Sequence, residues 1–269
     1  MMATSWHAAP PAPFDEIAPF YDAVFTRSLI GEAQRKTVWK HIDRMWNPGD
    51  HILELNCGTG EDALHLASRG IKVLACDASA AMIEVAERKK SPETAALLEF
   101  RVLPNEFIGG LLPSRQFDGV LSNFSGLNCV PDLPAITNQL VGMVRPGGQL
   151  ALCFSSRYCL WEFLWYLSHR EPRKAVRRWS GHVQSSISGR PIDVWYPEVS
   201  TIADAFRPWL RLTGISGVGT AIPPSYAEGW VQSHPRFFST LCGLDRITSS
   251  LPIARTMGDH MLLRFRRSS

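Results

Sequence analysis

The chain has 269 residues, 45% of them apolar, which suffices for one large domain or one domain carrying a substantial insertion. A net charge of only +3 is less basic than a dedicated nucleic-acid binder usually is, so no nucleic-acid partner is expected. The six cysteines, at 57, 76, 129, 153, 159 and 242, form no C-x-x-C pair, which argues against a zinc or other metal site and a redox dithiol and for a reducing compartment.

Residues 1–13, rich in Ala and Pro, read as a loose tail and lack the charged start and apolar core of a signal peptide. The longest aromatic-apolar run, Tyr158 to Leu167, contains Glu162 and is too short to span a bilayer, so a cytoplasmic protein is expected. Phe14 to Trp46 has apolar residues at helical spacing, for example Leu29, Val38, Ile42 and Trp46, and Asn47-Pro48-Gly49-Asp50 is a turn. Strands then alternate with helices. Strands are expected at 51–55, 71–76, 98–103, 117–122 and 149–154, and helices at 61–69, 79–90 and 132–144. That rhythm implies right-handed βαβ units and a parallel sheet covered on both faces. The second half departs from it. An insertion at 155–198 is rich in Trp and Arg, 199–209 reads as a helix, and 210–218 reads as a strand. A second insertion at 221–258 has helical pattern between Tyr226 and Ile247, and 259–266 is a final strand. The domain reading is a core over 14–154, completed by 199–269 around the second insertion.

The informative segment is Ile52 to Ala63, a strand entering a glycine turn and then a helix. Glycines at 58 and 60 let the backbone turn sharply and approach a ligand. Asp77 ends the second strand, where a carboxylate can accept both hydroxyls of a ribose. Gly58-x-Gly60-x-x-Ala63 also fits a dinucleotide fingerprint, with a pyrophosphate on the helix N-terminus. Charge separates the two. A pyrophosphate there would face Glu54, Glu61 and Asp62, and one such pair at ~5 Å in an effective dielectric of ~20 repels by about 3 kcal/mol. S-adenosylmethionine (SAM) instead carries an ammonium and a sulfonium. Glu61 and Asp62 taken singly also read as complements to the helix dipole.

The sequence resembles the class I SAM-dependent methyltransferases, and within them the ubiquinone/menaquinone-biosynthesis group. Glu54-Leu55-Asn56-Cys57-Gly58-Thr59-Gly60 is similar to their first motif, and Asp77-Ala78-Ser79-Ala80-Ala81-Met82 to their ribose and adenine motif. Phe117-Asp118-Gly119-Val120 resembles the entry to the fourth strand, Arg145-Pro146-Gly147-Gly148 the turn before the fifth, and Phe14-Asp15-x-x-Ala18-x-x-Tyr21-Asp22 the N-terminal helix. The match runs in order over residues 14–154. Two positions depart from it: Asn56 stands where the family commonly has Gly, and Pro104-Asn105-Glu106 replaces the usual acidic step after the third strand.

The resemblance implies an α/β, Rossmann-like fold. Its seven-stranded sheet has a parallel run of five and a terminal antiparallel strand, flanked by helices and here decorated by helical lid insertions. It implies SAM as cofactor and S-adenosylhomocysteine as product. The backbone of Asn56, Cys57, Gly58, Thr59 and Gly60 would cradle the methionine part, with Glu54 orienting the loop. Asp77 would hold the ribose, Ala78 and Met82 would flank the adenine, and Asn105 or Glu106 would meet its amine. Asn123 and Phe124 would line the floor under the sulfonium, and Tyr21 would close over the methionine carboxylate. Arg35 is a second candidate for that carboxylate, although an exposed helical Arg is the commoner reading.

On the acceptor side, both insertions would leave the carboxyl edge of the sheet, where ligands bind in open α/β sheets. Their large amphipathic side chains, such as Trp161, Trp165 and Trp230, suit a pocket for a small, apolar or aromatic acceptor, or else a core of the insertions' own. His260, Tyr196 and Tyr226 are the candidates for catalytic roles, with a structural His260 the commoner alternative. Methyl transfer often needs no strong base, because alignment supplies much of the effect. Arg170, Arg173, Lys174, Arg177 and Arg178 read as a basic helical stripe. It would suit peripheral contact with an anionic membrane or an acidic substrate, or serve as a solvated face. No Asn-Pro-Pro-Tyr or Asp-Pro-Pro-Tyr tetrapeptide follows the fourth strand, which argues against methylation of nucleic acid. The acceptor's identity and the oligomeric state are not readable from the residues.

Overall fold

The computed structural model describes residues 12–111 and 116–268. Its strands are β1 (His51–Leu55), β2 (Lys72–Asp77), β3 (Leu98–Val102), β4 (Phe117–Ser122), β5 (Val144–Ser155), β6 (His182–Ile187), β7 (Arg190–Trp195), β8 (Leu210–Val218) and β9 (His260–Arg267). The main helices are α1 (Leu29–Ile42), α2 (Glu61–Ser68), α3 (Ala80–Arg88), α4 (Leu133–Met143), α5 (Leu160–Ser168), α6 (Val199–Ala205), α7 (Glu228–Ser233) and α8 (Pro235–Thr248).

Seven strands form one sheet in the order β3-β2-β1-β4-β5-β9-β8. The first five run parallel, and β9 is antiparallel to both β5 and β8, as the sequence implies. Successive side chains of a strand face opposite sides of the sheet. Leu53, Leu55, Val120, Leu150 and Leu152 therefore pack on one side with Ile136 and Leu140 of α4 and Ile202 of α6. Ile52, Val73 and Leu121 pack on the other with Val38 and Ile42 of α1 and Ala63 and Leu66 of α2. Both faces are covered, which is why the inner strands read as nearly continuous apolar runs. The strand order reverses between β1 and β4, so the loops at their carboxyl ends open a crevice there.

Several element boundaries differ from the sequence reading. Phe14 to Trp46 is not one helix. A helical turn (Ala18–Tyr21) and a π turn (Asp22–Thr26) precede α1, whose start is capped by Ser28 Oγ accepting from Gly31 N–H at 2.9 Å. The helix after β4 gives way to strand at Val144, and α6 stops at Ala205. The expected tail lies largely outside the described residues, but Ala12 and Pro13 line the cavity beside the loop after β1.

The insertions are not both helical lids. The first holds α5, two short turns and the antiparallel β6–β7 hairpin. Its basic residues do not form one helical stripe. The chain turns at Arg170 with φ 61°, and Arg178 is buried rather than solvated. Arg178 Nη2 donates to Glu162 Oε2 at 2.7 Å and to Asp259 Oδ1 at 2.9 Å, while Arg177 donates to both oxygens of Glu162. The second insertion folds back on α1, with Ile222, Ala227, Val231 and Phe238 packed around Ile30. Glu228 accepts the free N–H groups of Leu29 and Ile30 at 2.9 and 3.1 Å, which caps α1 from outside its own segment.

Candidate functional site

The loop after β1 is built by left-handed residues: Asn56 at φ 56°, Gly58 at φ 53° and Gly60 at φ 77°. Asparagine tolerates this region better than most side chains do. Asn56 Oδ1 accepts from Asn105 Nδ2 and Ser122 Oγ, both at 3.3 Å, so the departure from glycine ties the loop to its neighbours. A Cβ on Gly60 would meet the Phe100 ring at 2.8 Å, whereas one on Gly58 would meet nothing within 4 Å. Gly58 thus presents bare backbone to open space on the ligand side.

Asp77 fixes the rim of this loop. Its Oδ2 accepts from Gly58 N–H and its Oδ1 from Ser79 N–H, both at 2.9 Å. Burial pushes its carboxyl above the usual range, opposed by those N–H groups. Each carboxylate oxygen retains accepting capacity beyond one bond, which leaves room for ribose hydroxyls.

The other carboxylates are less free than the sequence suggested. Glu61 pairs with Lys89 at 2.8 Å. Asp62 is buried and accepts from Arg35 Nη1 at 2.6 Å, Trp39 Nε1 at 2.6 Å and Asn123 Nδ2 at 3.0 Å. Glu54 is fully buried, and burial, followed by the charge of Asp62, drives its carboxyl well above the ordinary value. The acidity that argues against a pyrophosphate is therefore partly neutralised. Arg35 is not the exposed helical residue expected. It is 6% exposed, and its guanidinium lies 4.7 Å from the centre of the Phe124 ring.

Beside these groups lies a cavity of about 460 Å³, a size common for small-molecule sites. Asn56, Cys57, Gly58 and Thr59 line it from the glycine loop. Asp77, Ala78 and Met82 line it from the end of β2 and the start of α3. Asn105 and Glu106 follow β3, and Asn123 and Phe124 follow β4. Tyr21 and Arg35 come from the N-terminal segment, and burial pushes the Tyr21 hydroxyl up to about 12. Phe124 and Ser125 hold the left-handed region at φ 47° and 68°, an uncommon conformation that turns the Phe124 ring edge-on to Phe25 and His260. Of the SAM-binding candidates, only Glu54 and Gly60 do not line the cavity.

The catalytic candidates are not brought to it. His260 is buried behind Phe124, with its Nδ1 3.5 Å from Asp259 Oδ2, and burial lowers its pKa. Tyr196 is buried under the Arg178 guanidinium. Tyr226 packs among Trp165 and Tyr166, away from the cavity lining. Burial raises both phenols, which makes neither more acidic.

The sequence reading missed part of the cavity wall. Ser185 and Ile187 of β6 and Ile192 and Val194 of β7 line the cavity, together with Cys129 and Val130. The signal was present in the residues. Ser188-Gly189 is a turn dipeptide, and both residues take positive φ, at 51° and 80°, as a two-residue hairpin turn requires. The second insertion contributes no residue to this cavity.

Bare backbone at Gly58, the Asp77 carboxylate with spare accepting sites and an apolar Met82, all lining the cavity, suit the parts of SAM. Residues 52–148 match the methyltransferase domain family. The chain is similar to the 2-phytyl-1,4-naphtoquinone methyltransferase of Synechococcus elongatus, 31% identical over 147 residues, 52% of this chain and 60% of that protein. It is also similar to the demethylmenaquinone methyltransferase of Symbiobacterium thermophilum, 30% identical over 152 residues, 54% of this chain and 58% of that protein. The matched part thus spans about 60% of these relatives' length. Among solved structures, a SAM-dependent methyltransferase from Mesorhizobium loti shares the fold with TM-score 0.54 at 15% identity, over 85% of this chain and 97% of that one. The cyclase SpnF does so with TM-score 0.63 at 15% identity, over 97% of both chains. Residues 52–148 therefore match a methyltransferase domain, the chain has the fold of the solved SAM-dependent methyltransferases, and over about half its length it is similar to the quinone methyltransferases.

Proposed function

We propose that the protein is an enzyme that transfers the methyl group of SAM to a small, largely apolar or aromatic acceptor and releases S-adenosylhomocysteine. One observation supports this reading: most of the cofactor positions that the resemblance implies line the same cavity as Ile187, Ile192 and Val194 of the β6–β7 hairpin. SAM supplies an electrophilic methyl group on a sulfonium. The protein's own contribution is placement. Asp77 would hold the ribose, the 56–58 backbone the methionine end, and Met82 one face of the adenine. Arg35, locked by Asp62 and stacked near Phe124, would fix the floor.

On the acceptor side, Ile187, Ile192, Val194 and Val130 offer an apolar surface that suits a flat ring. The names of the two quinone methyltransferase relatives support an acceptor of that type. Among the described residues no imidazole lines the cavity, so alignment and exclusion of water are assigned most of the rate effect. An acceptor whose nucleophilic atom ionises readily, such as a hydroquinone or an enol, fits that arrangement.

Replacing Ile192 on the hairpin by Asp tests this division of labour. Ile192 is only partly buried, so the fold should tolerate the change. A charge placed against an apolar ring loses hydration without a partner. Transfer of labelled methyl to hydroquinone acceptors should fall at least about a hundredfold, while affinity for S-adenosylhomocysteine stays within about threefold. Equal losses in both would place the hairpin in the cofactor site, and no loss would remove it from the acceptor site.

A further inference from the structure

Helix α5 is turned inside out. Among its nine residues, Leu160 to Ser168, the only buried one is Glu162. Leu160, Leu164 and Leu167 follow the i, i+4, i+7 spacing of one face, yet are 43%, 50% and 50% exposed. A soluble helix normally buries its leucines and solvates its carboxylate. Here the Arg177 and Arg178 guanidiniums hold Glu162 inward and so fix the leucine face outward. Val176 and Trp179 add to the exposed apolar surface, and Trp179 stacks on Phe163 at 5.6 Å. Contiguous exposed apolar surface of this kind marks a contact site.

Charge selects the occupant. Arg170 and Arg173, just past the end of α5, make no ion pair among the described residues, and nearby Lys174 extends past its partner Glu171 to the Tyr166 ring. Tyr158 and Trp179, both exposed and in ring contact, supply rings with one apolar and one polar side, the type that settles at a lipid headgroup boundary. Leucines facing out, aromatic residues beside them and unpaired arginines at one end are the features of a helix lying on an anionic bilayer. No helix among the described residues is long and apolar enough to cross a membrane, so this contact would be peripheral.

We propose that the outward face of α5, with Arg170 and Arg173, docks the protein on an anionic lipid surface. This contact does not depend on the methyl-transfer reading. The same insertion continues into the β6–β7 hairpin, so docking would bring the apolar wall of the cavity toward the lipid.

Sedimentation with vesicles tests the proposal. The full chain should bind vesicles of phosphatidylcholine containing about one third phosphatidylglycerol, and much less to phosphatidylcholine alone, with binding weakened by salt. Leu164→Ser with Leu167→Ser should lower the bound fraction at least about tenfold, as should Arg170→Glu with Arg173→Glu. Both double variants should keep the parent circular dichroism and the parent affinity for S-adenosylhomocysteine, since none of the four residues lines the cavity. Binding by neither vesicle would overturn the proposal. So would a parent dimer that the leucine variant converts to monomer, because the face would then be an interface between copies of the chain. Unchanged vesicle binding by both folded variants would also overturn it.

Discussion

Asp77→Ala is expected to lower affinity for S-adenosylhomocysteine by about a hundredfold. The carboxylate stands at the end of β2 with its two oxygens already held by Gly58 and Ser79 N–H groups, so it needs no rearrangement to receive two ribose hydroxyls. A hydrogen bond to a charged group contributes roughly 1.5 to 3 kcal/mol, and two at the lower bound correspond to about two orders of magnitude in affinity. The substitution also releases the Gly58 amide, and with it the left-handed turn that leaves backbone open to the ligand. Isothermal calorimetry on the folded variant measures the loss. An affinity within threefold of the parent would mean that Asp77 shapes the loop without touching the ligand.

The second large effect is on stability. Arg178→Met should lower the free energy of unfolding by about 3 to 5 kcal/mol, the usual cost of removing one partner from a buried ion network. Arg178 ties Glu162 on α5 and the backbone carbonyl of Ser156 after β5 to Asp259 before β9, which is distant in sequence. Gln34 of α1 donates to the second oxygen of Asp259 at 3.3 Å. Without the guanidinium, Glu162 keeps Arg177, but Asp259 is left buried with that amide and the marginal His260 contact. At roughly 2 to 4 °C per kcal/mol for a chain of this size, the midpoint of thermal unfolding should fall by about 10 °C. A change under about 2 °C would show that the network is not coupled to global unfolding.

The two halves of the molecule differ in how far their residues can be read. In the first half the information is local. Each strand is a short apolar run closed by a turn residue, and the ligand loops occupy fixed places at strand ends. Asn56, Asp77, Asn105 and Phe124, which the family resemblance names at those strand ends, all line the cavity. Arg35 was harder. Its helix spacing looks like a solvated position, and only the fold brings it within 2.6 Å of Asp62, a contact 27 residues away in sequence. The glycine loop is less acidic than its residues suggest for the same reason, because Lys89 and Arg35 arrive from other elements.

In the second half the interactions that decide position are almost all distant. Topology alone placed both insertions over the carboxyl edge of the sheet. Ile222, Val231 and Phe238 instead found the apolar side of α1 at Ile30, which drew the second insertion away. His260 sits at the correct end of β9 for a catalytic role, yet Phe124 stands against its ring and separates it from the cavity lining. The β6–β7 hairpin carried a legible Ser-Gly turn. Its strands hold Gln184, Ser185 and Ser186, and so lack the continuous apolar character that marked β1 to β5.

The most direct test of the central claim is calorimetric titration of the purified chain with S-adenosylhomocysteine and, separately, with NADH. Both ligands present an adenosine to Asp77, but only NADH would set a pyrophosphate at the start of α2, beside Glu61 and Asp62. The account predicts micromolar binding of S-adenosylhomocysteine with one site per chain and no detectable heat from NADH. Binding of NADH without S-adenosylhomocysteine would contradict it.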